Sequence, residues 1–81
     1  MEHGYHLRKI QKHPYGTPEK VTEEIEEFKD AMEQGSKIMA AVELSDVYGA
    51  LEAVASNLGY TMDDLRRMSD ITKRAFRNKR R

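Results

Sequence analysis

The sequence contains no cysteine and no tryptophan, and only two prolines and two phenylalanines among 81 residues. Without cysteine, no disulfide reinforces a small core, and cysteine usage leaves the redox compartment undecided. No run is long or apolar enough for a membrane span or a secretory signal, so a soluble cytoplasmic protein with no membrane partner is expected. There is no internal repeat and no low-complexity linker. Hydrophobic residues are also scarce, at 38% against 35% charged. A chain of this length buries only about 60% of its unfolded surface. The core of a lone monomer is therefore thin, and oligomerisation is expected.

The net charge is zero, but the charges are segregated. Residues 1–18 hold three basic groups and one acidic, residues 19–46 three basic and nine acidic, and residues 47–81 eight basic and four acidic. The three segments therefore carry +2, −6 and +4. An acidic centre between basic ends suits a metal bound to a phosphorylated ligand. Charge complementarity between neighbouring helices accounts for the same pattern.

Residues 1–16 lack helical periodicity and read as an extended arm, with Tyr5, Leu7 and Ile10 as its apolar contacts to the body. His3 and His6 are close in sequence, but no further histidine or cysteine completes a metal site with them. His13-Pro14-Tyr15-Gly16 reads as a turn. Residues 17–81 form the helical domain. Thr17 caps the first helix and Pro18 occupies its first position. That helix runs to about Gln34, where Gly35 ends it. With Ser36 as its cap, the second helix spans about residues 37–58. Thr61 opens the third, with Asp63 and Asp64 in its first turn. The expected fold is all-α: three helices per chain after a short arm, completing a four-helix-type bundle by oligomerisation.

Chemistry enters through the acids. In the second helix Met39, Val42, Val47, Ala50, Leu51, Val54 and Leu58 recur at helical spacing. On a wheel of about 100° per residue, Glu43 falls inside that apolar sector and Asp46 at its edge. Burying a carboxylate there is unfavourable unless a cation compensates it. In the first helix the apolar stripe is Val21, Ile25, Phe28 and Met32, and Glu24 and Glu27 flank it. If the helices pack by their apolar faces, Glu24, Glu27, Glu43 and Asp46 converge. Four such carboxylates repel one another unless a hard cation sits among them, and all-oxygen ligation suits Mg²⁺ or Mn²⁺. Gly49, Ala53 and Ser56 form a strip of small residues beside Asp46, open to close helix packing or to a flat ligand.

The pattern E-E-x-x-E at Glu23, Glu24 and Glu27, then E-x-x-D at Glu43 and Asp46, with residues 28–42 between, resembles the signature of the MazG-like all-α nucleoside triphosphate pyrophosphohydrolases. Glu43-Leu44-Ser45-Asp46-Val47-Tyr48-Gly49-Ala50 is similar to that family's second motif. The resemblance runs from about residue 17 to the end. It implies Mg²⁺- or Mn²⁺-dependent hydrolysis of a (deoxy)nucleoside triphosphate between the α and β phosphates, giving monophosphate and pyrophosphate. It assigns the ligand role to Glu24, Glu27, Glu43 and Asp46. Glu23 matches the first acid of the motif; on the wheel it points away from the shared face, where it orients water or supports the ligands. The family's last helix supplies cationic or amide contacts to phosphate, which falls here on Lys73, Arg77 and Asn78, with Lys37 a weaker candidate. Tyr5, His13, Tyr15 and Tyr48 are unranked candidates for the base. Short single-domain versions occur among bacteriophage proteins, so a bacterial or phage-infected cytoplasm is the expected setting. The family site is walled by four helices and this chain offers three, which implies a homodimer or homotetramer. The rival is a non-enzymatic helical module, binding nucleic acid through Arg74–Arg81 or a protein partner, or a degenerate regulatory homologue. The absence of a recognised nucleic-acid motif weighs against the nucleic-acid form.

Overall fold

Three capping residues divide the chain. Thr17 stands in an extended conformation, and its hydroxyl accepts the Lys20 amide at 3.2 Å and donates to the Pro14 carbonyl at 2.7 Å. Helix α1 follows, Pro18–Gln34. It ends at Gly35, whose left-handed φ of 77° favours glycine and lets its amide reach the Met32 carbonyl at 3.0 Å. Ser36 then caps α2, Lys37–Asn57, by accepting the Met39 amide at 3.2 Å. At Thr61 the hydroxyl accepts the Asp64 amide while Asp64 accepts the Thr61 amide, a reciprocal box that starts α3, Met62–Arg77. The structure, a computed structural model, describes residues 5–77 apart from the side chains of Ala75 and Phe76. His3 and Asn78 thus lie outside the described residues. No strand occurs among those that are described, and none of their helices is long and apolar enough to cross a membrane.

Helices α1 and α2 pack as a hairpin. Among the described residues α3 makes slight contact with α2 and none with α1. The molecule is accordingly open, with a radius of gyration of 15.0 Å against about 12 Å for a compact domain of this length.

The seam of the hairpin differs from the expected apolar one. Its buried apolar residues are all small: Ala31, Ala40, Ala50 and Ala55. Alongside them are buried Glu23, Glu24, Glu27, Asp30 and Glu43. In α1 the buried face follows residues 23, 24, 27, 30 and 31, a helical period carried by carboxylates. The expected stripe is shifted to the flank, and Ile25 and Met32 in it are exposed. On α2, Ile38, Val42, Leu44, Tyr48 and Leu51 face solvent, Ile38 at 80% of its full exposure, and so does Leu58, which caps the helix end.

Residues 5–16 cross α1 in the opposite direction, and polar contacts hold them. Gln34 donates to the Tyr5 carbonyl at 2.7 Å, Asp30 accepts the Leu7 amide at 2.9 and 3.1 Å, and Arg8 pairs with Glu33. Further along, Lys12 donates to Glu27 at 2.9 Å and Glu23 accepts the His13 amide at 2.6 Å. Tyr5 and Leu7, expected to anchor the arm by apolar contact, are exposed instead. The backbone amides of an extended segment have no ladder to join, so the buried acids of α1 become their acceptors. Tyr15 closes the arm onto α2, its hydroxyl donating to the Gly49 carbonyl at 2.9 Å. The small-residue strip therefore receives a tyrosine of the chain itself at Gly49.

Asp30 is the central anchor, with no exposed surface. Replacing it with Ala leaves the Leu7 amide without its acceptor and removes one of the two acceptors of Gln34, which keeps the Tyr5 carbonyl. A loss of about 2–3 kcal/mol is expected, from hydrogen bonds to a charged group. Hydrogen exchange should report it as lost protection at the Leu7 amide while α2 amides stay protected.

Candidate metal centre

Four carboxylates meet where α1 and α2 face each other. Glu24 and Glu27 stand one turn apart on α1, and Glu43 and Asp46 one turn apart on α2. One oxygen from each lies within 4.8 Å of every other. The hairpin turn at Gly35-Ser36 returns α2 alongside α1, and the small residues of the seam admit the approach. Glu43 is 1% exposed, Glu24 and Glu27 are buried, and Asp46 is open to solvent. The cluster thus has a closed floor and one open side.

Its electrostatics are those of a partly compensated anion site, with Lys20 at Glu24 and Lys12 at Glu27 but no cationic side chain paired with Glu43 or Asp46 among the described residues. Burial pushes the Glu43 carboxyl above the usual carboxylate range, and the nearby charge and hydrogen bond of Asp46 add to this. Glu24 is also raised, by burial first and then by Glu27, although Lys20 pulls the other way. Glu24 Oε2 and Glu43 Oε2 are buried without a hydrogen-bond partner. Orphaned acceptors of this kind are rare in folded chains, and a bound ion is one of the few things that satisfies them. An all-oxygen set of this composition fits Mg²⁺ or Mn²⁺.

A second group of acids lies behind the first. Glu23, which the wheel turned away from the shared face, is 2% exposed. Burial alone raises it, but Lys20 at 2.8 Å, the His13 amide and Lys12 outweigh burial and bring its carboxyl below the usual range. Lys20 also reaches Glu24 Oε1 at 3.0 Å, and its ammonium is held protonated well above the ordinary lysine value by these acids. Glu23 therefore contributes no atom to the four-carboxylate set; it holds Lys20 beside that set and the arm above it. Asp30 is likewise lowered, since Gln34, the Leu7 amide and His6 together exceed its burial.

Asp30, to which the sequence gives no role, and His6, discounted there for want of a further histidine or cysteine, stand beside the acids. His6 Nε2 lies 3.7 Å from Glu27 Oε1, and its Nδ1 faces Asp30 Oδ1 at 3.5 Å. Asp30 falls three residues beyond Glu27 on the same helical face, a spacing visible in the sequence but uninformative without the arm.

The phosphate candidates are placed elsewhere. Lys73 and Arg77 line a shallow groove on α3 with Asp70 and Arg74, and no described contact joins them to the four acids. Lys37 is at the first turn of α2. Tyr48 is exposed, one residue past Val47. Part of the basic charge of α3 is internally paired, because Arg66 bridges Asp63 at 2.8 Å and Asp70 at 3.5 Å and Arg67 reaches Asp63 at 3.1 Å. No protein-family model, curated protein or solved structure matches the chain.

Proposed function

We propose that the chain is a metal-dependent nucleotide pyrophosphohydrolase of the MazG-like kind. It would hydrolyse a (deoxy)nucleoside triphosphate between the α and β phosphates, releasing monophosphate and pyrophosphate. The observation that carries this is the meeting of Glu24, Glu27, Glu43 and Asp46, with two buried oxygens left unpaired. A triphosphate brings about four more negative charges, and only multivalent cations reconcile these with the acids. Glu24, Glu27, Glu43 and Asp46 would hold Mg²⁺ or Mn²⁺, which when bound neutralises phosphate charge and lowers the pKa of the attacking water. Glu23 positions Lys20 and the arm and thereby fixes the orientation of Glu24. The open side at Asp46 is where the phosphates enter.

Cationic contacts to the phosphates fall to Lys73 and Arg77, with Asn78 beyond the described residues. Since α3 makes no contact with α1 of its own chain among the described residues, we assign these contacts to α3 of a second copy. The solvent-facing Val42, Leu44 and Leu51 of α2, with Leu58 at its cap, support this assembly, because a helix apolar on most of its sides is ordinarily covered. Light scattering at micromolar concentration should give a mass of two or four chains. A lone 9.4 kDa species contradicts it.

The function is tested with metal-stripped protein and a panel of ribo- and deoxyribonucleoside triphosphates, reading pyrophosphate. Release that requires added Mg²⁺ or Mn²⁺ is expected. No release from any of them, together with metal-independent, salt-sensitive binding of DNA or RNA, would replace the enzyme with a nucleic-acid module.

A further inference from the structure

We propose that His6 gives the centre a second, mixed nitrogen–oxygen cation position, shared with the first through Glu27 and Glu43 and preferring a borderline divalent transition ion. One atom each from His6, Glu27 and Glu43 lies within 4.8 Å of the others, so the arm supplies a third side to the acid cluster. Two further observations point to a ligand there. Glu43 Oε2, on a side chain only 1% exposed, has no hydrogen-bond partner. The His6 ring is set between two carboxylates, with Nδ1 3.5 Å from the fully buried Asp30 and Nε2 3.7 Å from Glu27, so Nε2 is the ring nitrogen turned toward the acid cluster.

That arrangement has the form of a carboxylate–histidine–metal relay. A ligating histidine ordinarily directs its other ring nitrogen at a carboxylate, which sets the tautomer and raises the basicity of the ligating nitrogen. Asp30 stands in that position behind His6, and Gln34 and the Leu7 amide hold Asp30 in turn. An imidazole among carboxylates shifts preference from Mg²⁺ toward Mn²⁺, Fe²⁺, Co²⁺ or Zn²⁺. Lys12 Nζ now pairs with the same Glu27 Oε1 at 2.9 Å, from a side chain largely in solvent. It serves as the counter-charge when no cation is bound and swings outward when one arrives. Two adjacent positions bridged by carboxylates would suit a substrate with several phosphate oxygens. To that extent the inference rests on the proposed hydrolase, but the histidine position stands on its own geometry.

The test is Co²⁺ titration of metal-stripped protein, followed by visible absorption and by hyperfine-shifted imidazole N–H proton resonances. Wild type should bind two Co²⁺ per chain and show one such resonance in H₂O that is absent in D₂O. His6→Gln should lose the resonance and one equivalent, with Co²⁺ affinity down at least about tenfold and Mg²⁺ affinity changed less than about twofold. Asp46→Asn should keep the resonance while losing Mg²⁺ binding. Melting of His6→Gln and of His6→Ala without metal separates loss of the ligand from loss of the arm. Co²⁺ binding that His6→Gln leaves intact, or no shifted resonance in wild type, overturns the proposal. If Asp46→Asn leaves Mg²⁺ binding unchanged while the resonance depends on His6, the four-carboxylate centre fails and the histidine position survives.

Discussion

Stripped of metal, the Glu43→Gln protein is expected to melt higher than the wild type, and then to gain no stability from added Mg²⁺. Glu43 is all but fully buried, its Oε2 has no partner, and Asp46 lies beside it. Keeping it ionised without a cation works against folding. Glutamine has nearly the same shape, removes the charge, and offers an N–H that donates to Asp46. The gain should be about 1–2 kcal/mol, by the scale of one buried charge-assisted contact, or about 5–10 °C for a domain of this size. The stability curve of the metal-free wild type follows from the same groups. Glu43 and Glu24 are raised, so their contribution is full below the unfolded carboxylate value and is lost as pH rises through the folded value. Glu23 and Asp30 are lowered, so theirs is present above the unfolded value and lost as pH falls through the folded one. Metal-free protein should thus be most stable in mildly acidic solution. Glu43→Gln should flatten the decline on the alkaline side, as should Mg²⁺ on the wild type. Thermal melts across pH, with and without Mg²⁺, check both statements.

Asp46→Asn should abolish pyrophosphate release while leaving the helices unchanged. Asp46 is exposed, so its neutral isostere alters the fold by no more than about 0.5 kcal/mol. Loss of one charged ligand should reduce turnover at least about a hundredfold, equivalent to about 2.7 kcal/mol in the barrier. Glu24→Gln should be equally inactive but is a less clean comparison, because Lys20, 3.0 Å away, loses part of its counter-charge. Circular dichroism of the two proteins beside their turnover settles the matter. Undiminished turnover in both would remove these acids from catalysis.

The helix ends were legible because each is written in local chemistry. Thr17, Ser36 and Thr61 are side-chain caps, and Gly35 supplies the left-handed residue a helix end favours; α2 ends at Asn57, one residue earlier than its periodicity indicates. The four-carboxylate cluster was legible for a related reason. An acid inside an apolar stripe, as at Glu43, is out of place unless the fold uses it.

The buried face of α1 was not legible. Its acids at 23, 24, 27 and 30 share the period of the apolar residues at 21, 25, 28 and 32, and hydrophobicity alone selects the second set. What reverses the choice is distant in sequence: amides of Leu7 and His13, and the ammonium of Lys12, arriving on a segment with no periodicity of its own. His6, weighed with His3 as a metal ligand, is discounted in the sequence for the same reason. No further histidine or cysteine completes a site with His3 and His6, whereas the partners of His6 are carboxylates on two helices.

We read the acids between α1 and α2 as a divalent-cation site. It is tested most directly by anomalous diffraction from crystals grown in Mn²⁺. A manganese peak coordinated by Glu24, Glu27, Glu43 and Asp46 is predicted. Side chains of these four turned outward into solvent, with no peak between the helices, would contradict the account.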